Sequence, residues 1–122
     1  MKVLLVGPAC QGKTEYGVTR YGMTGKGRPW EETAARGCVF GLQQWVESLM
    51  RRDIPPLEHV MDLLSTCGDW VVVCDEVGCG VVPVDAFQRR WRDEVGALCQ
   101  RLAAEADVVE RIFCGIPARI KG

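Results

Sequence analysis

A chain of 122 residues, 48% of them hydrophobic and 25% charged, is the size of one compact domain, expected to bury roughly two thirds of the surface its unfolded form exposes. Fifteen basic against sixteen acidic residues leave a net charge of −1, which gives nucleic acid no electrostatic hold, and no run of about 18 apolar residues offers a membrane span. Seven cysteines include no Cys-x-x-Cys pair and are joined by one histidine, His59, so they read as reduced thiols used as small apolar groups rather than as a metal site.

Lys2 to Val6 is a short aliphatic run ending at Gly7, the pattern of a parallel strand buried on both faces. It is too short for the apolar region of a signal peptide, and a cytoplasmic protein is expected. Lys13 to Tyr21 predicts a helix, short or held by tertiary contacts, because Gly17, Val18 and Thr19 are poor helix formers. Residues 22 to 37, with Gly22, Gly25, Gly27, Arg28 and Pro29, show no sustained period and predict an exposed loop. Cys38 to Gly41 reads as a brief strand or as the lead into a helix, which Leu42, Trp45, Val46, Leu49 and Met50 mark as one apolar stripe ending near Arg52. After a turn, Leu57, Val60, Met61 and Leu64 repeat that spacing until Gly68. Trp70 to Cys74, β-branched and continuously apolar, predicts a central strand, followed by a glycine-bearing loop from Val77 to Pro83. Asp85 is placed to cap a long helix whose buried face is Phe87, Trp91, Val95, Leu98 and Leu102 and which runs to about Ala106. Val108 to Cys114 makes the last strand, and strands separated by helices argue for a parallel sheet of three or four strands with right-handed crossovers.

The segment Gly7-Pro8-Ala9-Cys10-Gln11-Gly12-Lys13-Thr14 fits G-x-x-x-x-G-K-[ST] and lies between a predicted strand and a predicted helix start, where a phosphate-binding loop belongs. Glycines let the backbone curl so that successive N–H groups point at phosphates, and the helix N-terminus adds partial positive charge. Lys13 is then the candidate catalytic cation for the β- and γ-phosphates of ATP or GTP, and the Thr14 hydroxyl a ligand for Mg²⁺. Val71 to Glu76 ends in a carboxylate pair, in which Asp75 is the candidate Mg²⁺ carboxylate and Glu76 the group that orients or deprotonates a nucleophile. Both motifs fall at the carboxyl ends of strands, where open parallel sheets bind ligands. The expected architecture is a single α/β domain over residues 1–122, a P-loop NTPase-like three-layer fold with a small, mainly parallel sheet. No base-reading motif chooses between ATP and GTP. Arg89, Arg90 and Arg92 read as the solvated face of a helix, His59 as inert, and Cys10 as a thiol that inward N–H groups favour as thiolate.

Three phrases carry a resemblance: Asp75-Glu76-Val77-Gly78-Cys79-Gly80-Val81-Val82-Pro83, then Arg90-Trp91-Arg92-Asp93-Glu94-Val95-Gly96, then Gly115-Ile116-Pro117 with Lys121 at the end. They are similar to the bifunctional adenosylcobinamide kinase and adenosylcobinamide-phosphate guanylyltransferase family of cobalamin biosynthesis, whose first phrase is N-E-V-G-x-G-I-V-P. The resemblance implies a P-loop fold assembling as trimers, phosphoryl transfer from a nucleoside triphosphate to the aminopropanol hydroxyl of the corrinoid adenosylcobinamide, and then transfer of GMP to that phosphate. Asp75 stands where the family has asparagine. Thr24 stands where the family has the histidine that becomes guanylylated, upstream of Arg28-Pro29-Trp30, so the second transfer has no visible agent here. The implied function is therefore a nucleoside-triphosphate-dependent phosphotransferase. The alternative is a nucleotide-binding module that has lost its chemistry and uses bound ATP or GTP to regulate or assemble, and a weaker one is hydrolysis by water.

Overall fold

The computed structural model describes residues 1–77 and 85–122. Strand β1 (Lys2–Gly7) lies at the centre of the sheet because it is apolar on both sides, with Val3, Leu4 and Leu5 all buried. It pairs in parallel with β3 (Trp70–Asp75) on one flank and with β4 (Val108–Phe113) on the other. The register runs from Lys2 opposite Trp70 to Gly7 opposite Asp75, which sets the predicted phosphate loop and the predicted carboxylate side by side. Strand β2 (Cys38–Val39), the brief strand that the sequence left open, extends the sheet beyond β3, and the order is β2-β3-β1-β4-β5.

The fifth strand, β5 (Ile116–Lys121), corrects the expectation of three or four strands ending at Cys114. It turns back on β4 in antiparallel pairing, and all of its residues are exposed. Ile116, Ala118 and Ile120 alternate with Pro117, Arg119 and Lys121, but the run is only six residues long and Pro117 argues against a strand except at an edge, which is where it lies. The predicted loop over residues 22 to 37 likewise contains a helix, α2 (Trp30–Ala34). Five residues are too few to display a period, and this turn is fixed by the Trp30 indole N–H donating to the Phe40 carbonyl at 2.8 Å.

The remaining helices are α1 (Lys13–Tyr21), α3 (Leu42–Arg51), α4 (Pro56–Ser65) and α5 (Ala86–Glu105). In α1 poor propensity yields to packing: a Cβ on Gly17 would stand 2.6 Å from the Met23 sulfur and in ordinary contact with Leu5 at 3.4 Å, so the glycine leaves room for Met23 between the helix and the sheet. Asp85 caps α5 as predicted, its carboxylate accepting from the N–H groups of Phe87 and Gln88 at 2.7 and 3.3 Å. Val95, Leu98 and Leu102 are the buried stripe of that helix, while Phe87 and Trp91 are only half-buried.

Because strand side chains alternate, the sheet builds two cores. Val3, Leu5, Val73, Val108 and Ile112 pack with Met23, Tyr16 and Tyr21 on the α1 side. Leu4, Val72, Cys74 and Val109 pack on the other side with Trp45, Leu49, Val60, Leu64, Leu98 and Leu102 of α3, α4 and α5. The result is the three-layer α/β arrangement expected, with the chain leaving β1 toward one face and β3 toward the other, so that a crevice opens between their carboxyl ends. No helix among the described residues is long and apolar enough to cross a membrane. The described cysteines are free thiols, and Cys99 and Cys74 touch at 3.6 Å between sulfurs. Cys79 and most of the predicted loop from Val77 to Pro83 lie outside the described residues.

Candidate active site

The loop over residues 7–14 begins where β1 ends. A Cβ on Gly7 would lie 2.3 Å from the Ile112 carbonyl oxygen of β4, so no side chain fits at the start of the loop. Cys10 and Gly12 turn the backbone through positive φ angles of 59° and 88°, and Gly12 leads directly into α1. Among the described residues no side chain caps α1, which leaves the N–H groups of its first turn to an anion.

Lys13 is buried, 4% exposed, although it carries a full charge. Its Nζ donates to the Pro8 carbonyl at 2.5 Å and pairs with Asp75 Oδ1 at 2.8 Å, so the ammonium bridges the loop and the end of β3. Burial of a charge is tolerated where it is paired and hydrogen-bonded in this way. Asp75 is itself placed by Gln43, whose side-chain Oε1 accepts the Asp75 N–H at 3.0 Å. Thr14 and Asp75 both line a cavity of about 650 Å³ that continues past Gln43, Trp30 and Phe40 to Lys26 and Arg28.

Glu76 sits differently. Its N–H donates to the Gly7 carbonyl at 2.8 Å, tying β3 to the loop, but its carboxylate is gripped by Arg111 through Nε at 2.6 Å and Nη2 at 3.1 Å. Those hydrogen bonds hold its pKa below the usual carboxylate range. A bidentate, ion-paired carboxylate is a poor proton acceptor, so the geometry suits an orienting role better than deprotonation. Gln43 and Arg111 were not visible as site residues in the sequence. Gln43 lies beside the apolar stripe used to recognise α3, where a polar residue reads as solvated face, and Arg111 belongs to a strand read only for its apolar members, although its place near a strand's carboxyl end is the available signal.

Behind the loop, α1 is tied to β4 through Glu110, a carboxylate only 3% exposed. The Tyr16 hydroxyl donates to it at 2.9 Å and the Tyr21 hydroxyl donates to its other oxygen. Burial first, and the carboxylate second, push both phenol pKa values above their ordinary value. Of the other residues singled out in the sequence, Cys10 is exposed in the loop, Thr24 is exposed between α1 and α2, and Arg89 and Arg90 lie on the solvated side of α5. His59 is on α4, with its ring edge-on to Trp45 and its Nε2 3.6 Å from Glu31, and it does not line the cavity.

The family model of cobinamide kinase / cobinamide phosphate guanyltransferase matches residues 39–120. The match starts after the phosphate loop, so the loop rests on its own motif and geometry. The bifunctional adenosylcobalamin biosynthesis protein CobU of Salmonella typhimurium is 37% identical over 83 residues, 65% of this chain and 45% of its own length. CobP of Pseudomonas aeruginosa, described in the same words, is 33% identical over 99 residues, 75% of this chain and 57% of its own. CobU of Escherichia coli is 43% identical over 67 residues, 52% of this chain and 37% of its own. The chain thus spans about half the length of the curated relatives it matches. Since the family match runs from β2 through almost all of β5, the chain belongs to the cobinamide kinase / cobinamide phosphate guanyltransferase family.

Proposed function

We propose that this chain, as one nucleotide-binding domain, transfers the terminal phosphoryl group of ATP or GTP to a hydroxyl of a cobinamide. The observation that carries the reading is the buried Lys13 ammonium, held 2.8 Å from Asp75 beside a cavity that Thr14 and Asp75 share. In this reading the N–H groups at the start of α1 and Lys13 hold the phosphates, and Lys13 neutralises charge as it shifts onto the leaving diphosphate. The acceptor oxygen enters from the cavity. The new bond forms between that oxygen and the terminal phosphorus, the bond to the bridging oxygen breaks, and the hydroxyl proton leaves to solvent. Glu76, paired with Arg111, fixes the end of β3 against the loop. The Thr14 hydroxyl and the Asp75 carboxylate are hard oxygen donors of two residues that line the cavity, a set that would fit Mg²⁺ sharing its shell with phosphate oxygens and water. When bound, that ion supplies positive charge at the phosphate oxygens.

Guanylyl transfer is not part of this proposal. The position upstream of Arg28-Pro29-Trp30 carries Thr24, and the only imidazole of the chain is on α4 beside Trp45. Assembly as a homo-oligomer, a trimer as in the resembling family, belongs to the same reading.

A second reading, nucleotide binding without transfer, is favoured by the engagement of both Glu76 oxygens with Arg111, which makes that carboxylate a poor proton acceptor. Parallel incubations with Mg²⁺, adenosylcobinamide and either γ-labelled or α-labelled nucleotide separate the two. Label from the γ position on the corrinoid is the expected result. Nucleotide binding with no labelled corrinoid would leave the second reading standing, and α label on corrinoid or protein would restore guanylyl transfer.

A further inference from the structure

The cavity touches the phosphate loop at its Thr14 end. The opposite side of the loop is braced by a different part of the chain, the turn between β4 and β5. Gln11 makes two contacts with it: its side-chain Oε1 accepts the Cys114 N–H at 2.7 Å, and its backbone carbonyl accepts the Gly115 N–H at 2.8 Å. Phe113 pairs with Ile116, so Cys114 and Gly115 are the two-residue connection of a tight hairpin, and their φ angles of 52° and 73° are those its twist requires. Glycine is at ease there, whereas a non-glycine residue such as Cys114 at positive φ is uncommon. Both positive angles serve to aim two consecutive N–H groups at one residue of the loop. The contact is close elsewhere too, since a Cβ on Gly12 would lie 3.5 Å from the Gly115 Cα. At the start of the loop Gly7 abuts Ile112 of the same β4 strand.

We infer that Gln11 is a positioning residue: through the Cys114–Gly115 turn it holds the phosphate loop in its curled form before a triphosphate arrives. The inference rests on the reading of residues 7–14 as a nucleotide site. A loop that is already curled gives up less conformational freedom on binding, so the gain appears as affinity rather than as a faster chemical step. Lys13 braces the loop toward β3, through the Pro8 carbonyl and Asp75, and Gln11 braces it toward β4 and β5. Within the loop Gln11 is the residue whose amide reaches across to β4 and β5, a role that the motif, which leaves its position unspecified, does not assign.

Gln11→Met keeps the side-chain length and removes the acceptor. With Mg²⁺ and non-hydrolysable ATP and GTP analogues, its affinity is expected to fall about fivefold, the loss of roughly one ordinary hydrogen bond. In the transfer assay the loss should fall on KM more than on kcat. Gln11→Glu restores an acceptor for the Cys114 N–H and should recover affinity at high salt, where its added charge is screened. Amide hydrogen exchange supplies a readout besides affinity: Cys114 and Gly115 should be protected in the nucleotide-free wild type, and Cys114 should lose that protection in Gln11→Met. Equal analogue affinity in wild type and Gln11→Met, or unprotected turn amides in the wild type, would overturn the inference while leaving the nucleotide site intact. A wild type that binds no analogue would sink the nucleotide reading, and the inference with it.

Discussion

The two faces of the sheet are held by different physics. On the α3–α5 side the contact is apolar and deep, with Trp45, Leu49, Val60, Leu64, Leu98 and Leu102 at or near zero exposure. On the α1 side the apolar set is smaller, a glycine takes the place of a core side chain, and two phenols converge on the buried Glu110 carboxylate. Burial of hydrocarbon is non-directional and tolerates sliding, whereas hydrogen bonds to a buried carboxylate fix position and angle. The helix whose N-terminus and first lysine face the proposed phosphate site is the one fixed by direction. The contrast teaches a division of labour: one face supplies stability, the other supplies placement.

The largest way to break the contrast is at the first residue of α1. Lys13→Ala is expected to lower phosphoryl transfer by about a thousandfold or more, in the range of lost electrostatic stabilisation at a preorganised site. Its far-ultraviolet circular dichroism should match the wild type, because neither core loses an apolar side chain. Unchanged transfer would remove the phosphate-loop argument altogether. The corresponding change on the other face is Trp45→Ala, which empties the largest fully buried side chain. It should cost about 3–5 kcal/mol in a denaturant titration, and any fraction that stays folded should still bind nucleotide. On the α1 side Glu110→Leu leaves the Tyr16 and Tyr21 hydroxyls without their acceptor and should cost about 2 kcal/mol. Weaker nucleotide affinity at temperatures where the variant remains folded would mark placement, whereas a loss of stability alone would make the two faces alike.

The same contrast governs what could be read in the sequence. The α3–α5 face was visible from spacing, since Leu42, Trp45, Val46 and Leu49 recur at helical intervals and Asp85 announces a cap. The proposed phosphate loop was marked by glycines and a lysine at the separations that chemistry needs, and the Gly7 to Asp75 register sets residues 7–14 against the carboxylate that the sequence paired with them. Contacts between polar groups far apart in the chain carry no period. Glu110 with Tyr16 and Tyr21, Glu76 with Arg111, and Gln11 with Cys114 join residues that only the sheet order brings together. β5 was missed for a different reason: its alternation of Ile116, Ala118 and Ile120 spans only six residues and contains Pro117, which reads against a strand unless the strand lies at an edge.

The smallest effect tests the α1 face by titration. Tyr16 and Tyr21 are the chain's two tyrosines, and burial together with Glu110 raises both phenols above the value of 10.0 that they take in an unfolded chain. The folded protein therefore holds the protonated form more tightly than the unfolded one does. Below about pH 10 neither state releases the proton and the contribution of the cluster to stability is whole. As the pH rises beyond that, the unfolded chain gains by ionising while the folded one does not, so stability declines toward the folded pKa values. The melting temperature should accordingly fall above about pH 10, and a Tyr16→Phe, Tyr21→Phe double variant should show a shallower fall, since only lysine and cysteine ionisation remains. Tyrosinate absorbance in the wild type should appear together with unfolding rather than ahead of it. Were the phenols to ionise while the protein stays folded, α1 would not be anchored by this cluster, and the placement assigned to that face would have to come from the loop's own contacts with Asp75 and the β4–β5 turn.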